Sequence, residues 1–181
     1  MNILVVNGSP RKGGNTELLL DAMIAGAEEA GAAISNVRLR TLNVSPCRAC
    51  DACKKTGKCI QKDDMHYLIS KMEESDIWIL GTPIYWWGPT AQLKAFIDRW
   101  YGVERDIFKK RKIALVVPFE SSNPKTAQHV LGMFEDIFAY LGVEQVGTLL
   151  VPGVVDRGEV ETKPNFLEEA RELGRSLTKI K

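Results

Sequence analysis

The sequence carries almost no net charge: 24 Lys and Arg stand against 23 Asp and Glu, a formal +1 over 181 residues. That balance leaves no electrostatic footprint for nucleic acid or an anionic membrane, so small molecules or proteins are the expected partners. No apolar run approaches the ~20 residues that span a bilayer. Met1 leads straight into Ile3-Leu4-Val5-Val6, without the charged flank and cleavage site of a secretory signal. The expectation is a cytoplasmic protein whose thiols stay reduced, so its cysteines read as ligands or redox groups before disulfides. Histidine is scarce: His66 and His129 are the only two, each on a predicted helix, and both read as solvated or satisfied rather than catalytic. Repeats and low-complexity tracts are absent. With 45% hydrophobic residues, the chain suffices for one core burying roughly 70% of its unfolded surface, and residues 1–181 are expected to form a single domain.

Strand and helix signals alternate along this chain. Residues 2–7 form a short β-branched apolar run ending in Gly8-Ser9-Pro10, the pattern of a buried parallel strand. Asn15 is placed to cap a helix over residues 16–30, with Leu19, Met23, Ala27 and Ala30 at helical spacing and Gly31 as its stop; Gly26 weakens that helix. Further strands are expected near residues 34–39, 76–80, 112–117 and 146–151. Asp63 and Asp64 read as acids at the start of a short helix reaching Met72, rather than as metal ligands. Pro89 suits the first turn of a helix with Leu93, Phe96, Ile97 and Trp100 on one face. Another helix opens at Asn123-Pro124, buries Val130, Phe134, Ile137 and Leu141 and closes at Gly142; a last one follows Pro164 with Phe166, Ala170, Leu173 and Leu177 inward. Five strands with helical crossovers imply a doubly wound α/β parallel sheet of order 2-1-3-4-5. Ligands then bind where the order reverses, between strands 1 and 3.

Two loops end at that switch point. The first, Gly8-Ser9-Pro10-Arg11-Lys12-Gly13-Gly14-Asn15-Thr16, offers hydroxyls, an amide, backbone N–H groups and two cations at a positive helix end, which suits phosphate. It is not a dinucleotide fingerprint, because Pro10 stands two residues after Gly8. Nor is it a nucleoside-triphosphatase loop, because Gly14 and Asn15 replace the required Lys and Ser or Thr. No nicotinamide-binding signature is present. A plain Gly-rich turn is the alternative.

The second loop, Thr82-Pro83-Ile84-Tyr85-Trp86-Trp87-Gly88, sets three aromatic rings in a connection, where a planar partner would cover them. FMN requires both elements, an anion site for its phosphate and an apolar wall for its ring, and backbone N–H groups from Ile84 to Trp87 are suited to the flavin's polar edge. The competing reading packs Trp86 and Trp87 on the core or on a second subunit. These two loops, with Gln92-Leu93-Lys94-Ala95-Phe96-Ile97-Asp98-Arg99, resemble the flavodoxin-like NADPH-dependent FMN reductase-like family over nearly the whole chain. The resemblance implies FMN held by Ser9, Arg11, Asn15 and Thr16, with Lys12 beside them, and by Pro83, Ile84, Tyr85, Trp86, Trp87 and Gly88 at the ring. It also implies a homodimer or homotetramer, with residues 118–121 as a third wall. Asp98 and Arg99 read as an interface pair or a polar helix face, and Trp100 and Tyr101 favour an oligomer.

All four cysteines, Cys47, Cys50, Cys53 and Cys59, fall in residues 44–62, a cysteine-rich segment before strand 3 with spacing C-x2-C-x2-C-x5-C. Two-residue gaps let a loop wrap thiolates around a 4Fe–4S cluster, and Lys54, Lys55 and Lys58 would offset its charge. The run departs from the bacterial ferredoxin repeat, which has its fourth cysteine after three residues and then Pro. Structural zinc, a redox disulfide and plain thiols remain alternatives. The iron–sulfur flavoproteins of the resembling family carry a compact motif of this kind. An FMN and a cluster together would couple a one-electron, ferredoxin-like donor to a small acceptor. A cluster-free NAD(P)H-dependent FMN or quinone reductase and a flavodoxin-type carrier are the rival expectations.

Overall fold

In the computed structural model, which describes residues 1–180, the strands are β1 (Asn2–Asn7), β2 (Ala33–Arg38), β3 (Ile77–Gly81), β4 (Lys112–Phe119) and β5 (Glu144–Pro152). All pair in parallel, in the order β2-β1-β3-β4-β5, as the alternating pattern predicted. The helices are α1 (Asn15–Glu29), α2 (Ala52–Thr56), α3 (Met65–Glu73), α4 (Ala91–Asp98), α5 (Gln128–Leu141) and α6 (Pro164–Leu177). Between its terminal asparagines β1 is apolar from Ile3 to Val6 because both faces are covered. Its Ile3 and Val5 join Leu19 and Met23 of α1 and Ala170 and Leu177 of α6 in one core layer. On the opposite face Leu4 and Val6 meet α3, α4 and α5 through Leu68, Phe96 and Phe134.

Gly26 reads in sequence as a weak point of α1; it is where α6 crosses. A Cβ there would fall 1.9 Å from the Arg171 carbonyl oxygen, and one on Gly174 would fall 2.0 Å from that of Met23. Each helix thus gives up a side chain to let the other's backbone approach.

Several boundaries differ from the sequence expectation for local reasons. Gly14 is the N-cap of α1 and Asn15 its first residue, because the Asn15 side chain is engaged elsewhere. Thr90, not Pro89, opens α4: its hydroxyl accepts from the Leu93 N–H at 3.3 Å. The 3-10 turn Pro124–Ala127 precedes α5, whose buried stripe is Val130, Phe134 and Phe138, with Ile137 and Leu141 only half-buried. Trp100 does not face a partner. It lies in the core, with its ring centroid 6.0 Å from Trp78 and 5.5 Å from both Phe96 and Phe108.

Candidate functional site

The loop after β1 is built from its own polar groups. Asn7 Oδ1 accepts the Ser9 N–H at 2.9 Å, and Ser9 Oγ accepts that of Arg11 at 3.3 Å. Gly13, at φ +62°, turns the chain into the helix. There the first-turn N–H groups of Asn15, Thr16 and Glu17 have no intrahelical acceptor, so the loop ends on a positive helix terminus. Glu17 accepts the Gly13 N–H at 2.7 Å and the Arg38 Nε at 2.6 Å, with Arg40 at 3.3 Å. Burial pushes its carboxyl up, but the Arg38 and Gly13 hydrogen bonds and the two arginine charges outweigh this and hold it below the ordinary 4.5. The positive helix end therefore carries a neutralised acid.

The loop after β3 is locked to the first. Thr90 Oγ1 donates to the Gly8 carbonyl at 2.6 Å, and Thr82 Oγ1 accepts the Thr90 N–H at 3.1 Å; both threonines are buried. Gly8 is required at this approach, since a Cβ would lie 2.8 Å from Leu93 Cβ. Tyr85 and Gly88 exchange backbone hydrogen bonds at 2.9 and 3.0 Å around Trp86 and Trp87. The two tryptophans have φ of +49° and +61°, the left-handed region that residues other than Gly, Asn and Asp occupy at a cost. Trp86 is 91% exposed and Trp87 55%. The Tyr85 N–H is consumed within the turn, which narrows the expected polar-edge donors to Ile84, Trp86 and Trp87.

One cavity joins the two loops. Ser9, Arg11, Asn15 and Thr16 line it with Pro83, Ile84 and Tyr85, and Pro118, Phe119 and Glu120 form the expected third wall. Lys12, Trp86, Trp87 and Gly88 stand outside its lining. Val154 and Val155, which follow β5, complete it and were missed in sequence. Their loop straps the first one: Arg11 Nη1 donates to the Val155 carbonyl at 2.7 Å, and Asn15 spans the Asp156 carbonyl and the Val160 N–H at 2.9 and 3.1 Å. No local signal marks contacts across more than 140 residues.

The four cysteines line a second cavity together with Arg99, Tyr101 and Gly102, and all four are free thiols. Among the described residues, no three of His, Cys, Asp and Glu gather closely enough to hold a metal ion. The pairing of Asp98 with Arg99 at an interface is not observed: Asp98 pairs with Lys94 at 2.5 Å, and Arg99 is buried. Its guanidinium grips Asp63 at 2.5 and 3.1 Å, the Ser45 carbonyl at 2.9 Å and Cys59 Sγ at 3.3 Å. Asp63 also accepts the Ser45 and Met65 N–H groups, at 3.1 and 3.2 Å, the second in keeping with its reading as a helix-start acid. Burial raises its carboxyl, and Arg99 with the two N–H groups more than reverses this, leaving it below 3.8. The pair closes the cysteine segment at both ends. Among the described residues, His66 hydrogen-bonds the Gln61 carbonyl at 3.1 Å and His129 the Gln128 side chain.

A doubly wound sheet with a polar, glycine-rich loop and an aromatic loop meeting at its switch point defines the flavodoxin-like class. The family model for NADPH-dependent FMN reductase matches residues 1–153. The chain belongs to that family and is a flavin-dependent oxidoreductase. It is 34% identical over 176 residues to an iron-sulfur flavoprotein of Archaeoglobus fulgidus, covering 96% of this chain and 77% of that protein. It is 30% identical over 194 residues to the iron-sulfur flavoprotein MJ1083 of Methanocaldococcus jannaschii, covering 99% and 97%. In fold it is similar to the NAD(P)H:quinone oxidoreductase of Methanothermobacter marburgensis, with TM-score 0.77 and 18% identity over 98% of this chain and 96% of that one. No helix among the described residues is long and apolar enough to cross a membrane.

Proposed function

We propose that this protein passes electrons between a ferredoxin-like one-electron donor and a small acceptor through FMN and a 4Fe–4S cluster. The observation that carries the reading is the second cavity, lined by all four thiols of the chain. Its donor set of four thiols at C-x2-C-x2-C-x5-C spacing suits a cluster by its chemistry, and Gly102 packs against it, a Cβ there falling in ordinary contact at 3.5 and 3.6 Å from the Cys53 and Cys59 Cβ atoms. Cys47, Cys50, Cys53 and Cys59 would hold the cluster, which supplies one-electron transfer where the flavin can store two.

Ser9, Arg11, Asn15 and Thr16 would hold the FMN phosphate by helix-end N–H groups, hydroxyls and the guanidinium. Pro83, Ile84 and Tyr85 would wall the ring, with Trp86, Trp87 and Gly88 forming the turn that caps it and Lys12 adding positive charge from outside. The same exposed tryptophans suit burial against a second copy, so we include a homodimer or homotetramer in this reading. One helix spaces the two sites: Thr90 at the head of α4 bonds to Gly8, and Arg99 just past its end bonds to Cys59.

Anaerobic purification followed by iron and sulfide assay and a visible spectrum tests this. About four irons and four sulfides per chain are expected, with broad absorption beneath the flavin bands. Flavin bands without iron or sulfide would overturn it. That outcome would leave the rival reading, a cluster-free NADPH-dependent FMN reductase of the activity the family model describes, for which NAD(P)H oxidation with an added acceptor is the positive sign.

A further inference from the structure

The 3-10 turn Arg99–Gly102 faces the cysteine segment with three of its four residues. Tyr101 donates its hydroxyl to Asp51 at 2.9 Å, Gly102 lies beside Cys53 and Cys59, and Arg99 reaches Cys59 Sγ. The side chains of Arg99 and Asp63 are 1% and 4% exposed. A guanidinium this deep needs a counter-charge, and the two contacts to Asp63 already supply it. The contact to sulfur serves no such need, and it places a cation beside one particular cysteine. Lys54, Lys55 and Lys58, the cations visible in sequence, are all exposed, where solvent and salt screen them.

We propose that Arg99 is a positioning residue that sets the reduction potential of the cluster, by donating a charge-assisted N–H···S hydrogen bond to Cys59. The proposal rests on the cluster reading above. On reduction one electron enters the cluster from a low-potential donor, no bond to Arg99 forms or breaks, and the thiolate-ligated group gains one negative charge. A buried cation and its N–H donor at 3.3 Å favour the more negative state, so they raise the potential. Asp63 tempers the effect without cancelling it, because Nη2 stands between the carboxylate and the sulfur, 3.1 Å from one and 3.3 Å from the other. Cys59 then differs electronically from Cys47, Cys50 and Cys53, for which no comparable side-chain donor is found among the described residues.

The test compares wild-type protein with Arg99→Gln and with Arg99→Gln/Asp63→Asn, the double variant avoiding an unpaired buried carboxylate. Each is reconstituted anaerobically with FMN, ferrous iron and sulfide, assayed for iron and flavin, then titrated with the cluster followed by EPR and the flavin by absorbance. With iron content unchanged, the one-electron reduction equilibrium of the cluster is expected to fall about tenfold, a midpoint lower by about 59 mV, while the flavin midpoint stays put. A fully loaded variant with an unchanged cluster midpoint overturns the proposal. Wild-type protein without iron and sulfide overturns the cluster reading itself, and is seen before any variant is titrated. Where neither variant folds or loads, wild-type protein carrying guanidino-15N arginine decides. Coupling of that nitrogen to the reduced cluster supports the bond, and its absence refutes it.

Discussion

Glu17 shows how a single residue can serve a site it does not line. Negative charge at a helix N-terminus is stabilising in itself, yet beside a phosphate it would repel, so its carboxylate is useful only while Arg38 and Arg40 neutralise it. Because its folded-state affinity for protons lies below the ordinary value, the ionised form is the one that stabilises the fold. That contribution is complete above the unfolded value of 4.5 and is lost as pH falls through the lower folded value. Glu17→Gln is expected to destabilise the protein at pH 7 by about 2 kcal/mol, the worth of a charge-assisted hydrogen bond. The difference from wild type should shrink below about pH 4 in urea denaturation. A constant difference from pH 7 to pH 3 would mean that Glu17 acts through packing alone.

At the scale of elements, the turn after β3 is the least economical part of the fold. A two-residue turn with both central φ angles positive normally carries Asn-Gly, and here it carries Trp86-Trp87. Strain of about 1–3 kcal/mol per such residue persists where function holds it. Replacing Trp86-Trp87 by Asn-Gly is therefore expected to stabilise the FMN-free protein by about 1 kcal/mol or more while weakening FMN binding at least tenfold. Denaturant titration of the apoprotein and quenching of flavin fluorescence read the two effects separately; unchanged FMN affinity would remove the tryptophans from the site. The central strands were legible because parallel strands covered on both faces read as apolar runs, as at residues 3–6 and 77–80, and the 2-1-3-4-5 order because right-handed crossovers leave few topologies. The strained turn was not, since its residue types argue against its backbone. Arg99 was not either: a charged residue next to Asp98 reads as polar surface until Asp63, 36 residues earlier, is folded against it.

For the molecule as a whole, the loop after β1 belongs as much to the C-terminal part of the chain as to the N-terminal part. The family match ends at residue 153, yet Arg11 and Asn15 are fixed by Val155, Asp156 and Val160. α6 then packs on α1 through Gly26 and Gly174. A ligand that orders residues 9–16 must therefore order 154–160 as well. FMN at a hundred times its Kd stabilises the folded state by about 2.7 kcal/mol, which for a chain of this size raises Tm by about 5–10 °C. Hydrogen exchange locates that stabilisation. Protection is expected to rise together in residues 9–16, 83–88 and 154–160, while residues 44–62, held by the separate Arg99–Asp63 pair, keep their rates. Protection confined to 9–16 would show that the strap after β5 only borders the flavin site. A matching rise in 44–62 would show instead that α4, bonded to both sites, transmits FMN binding to the cysteines.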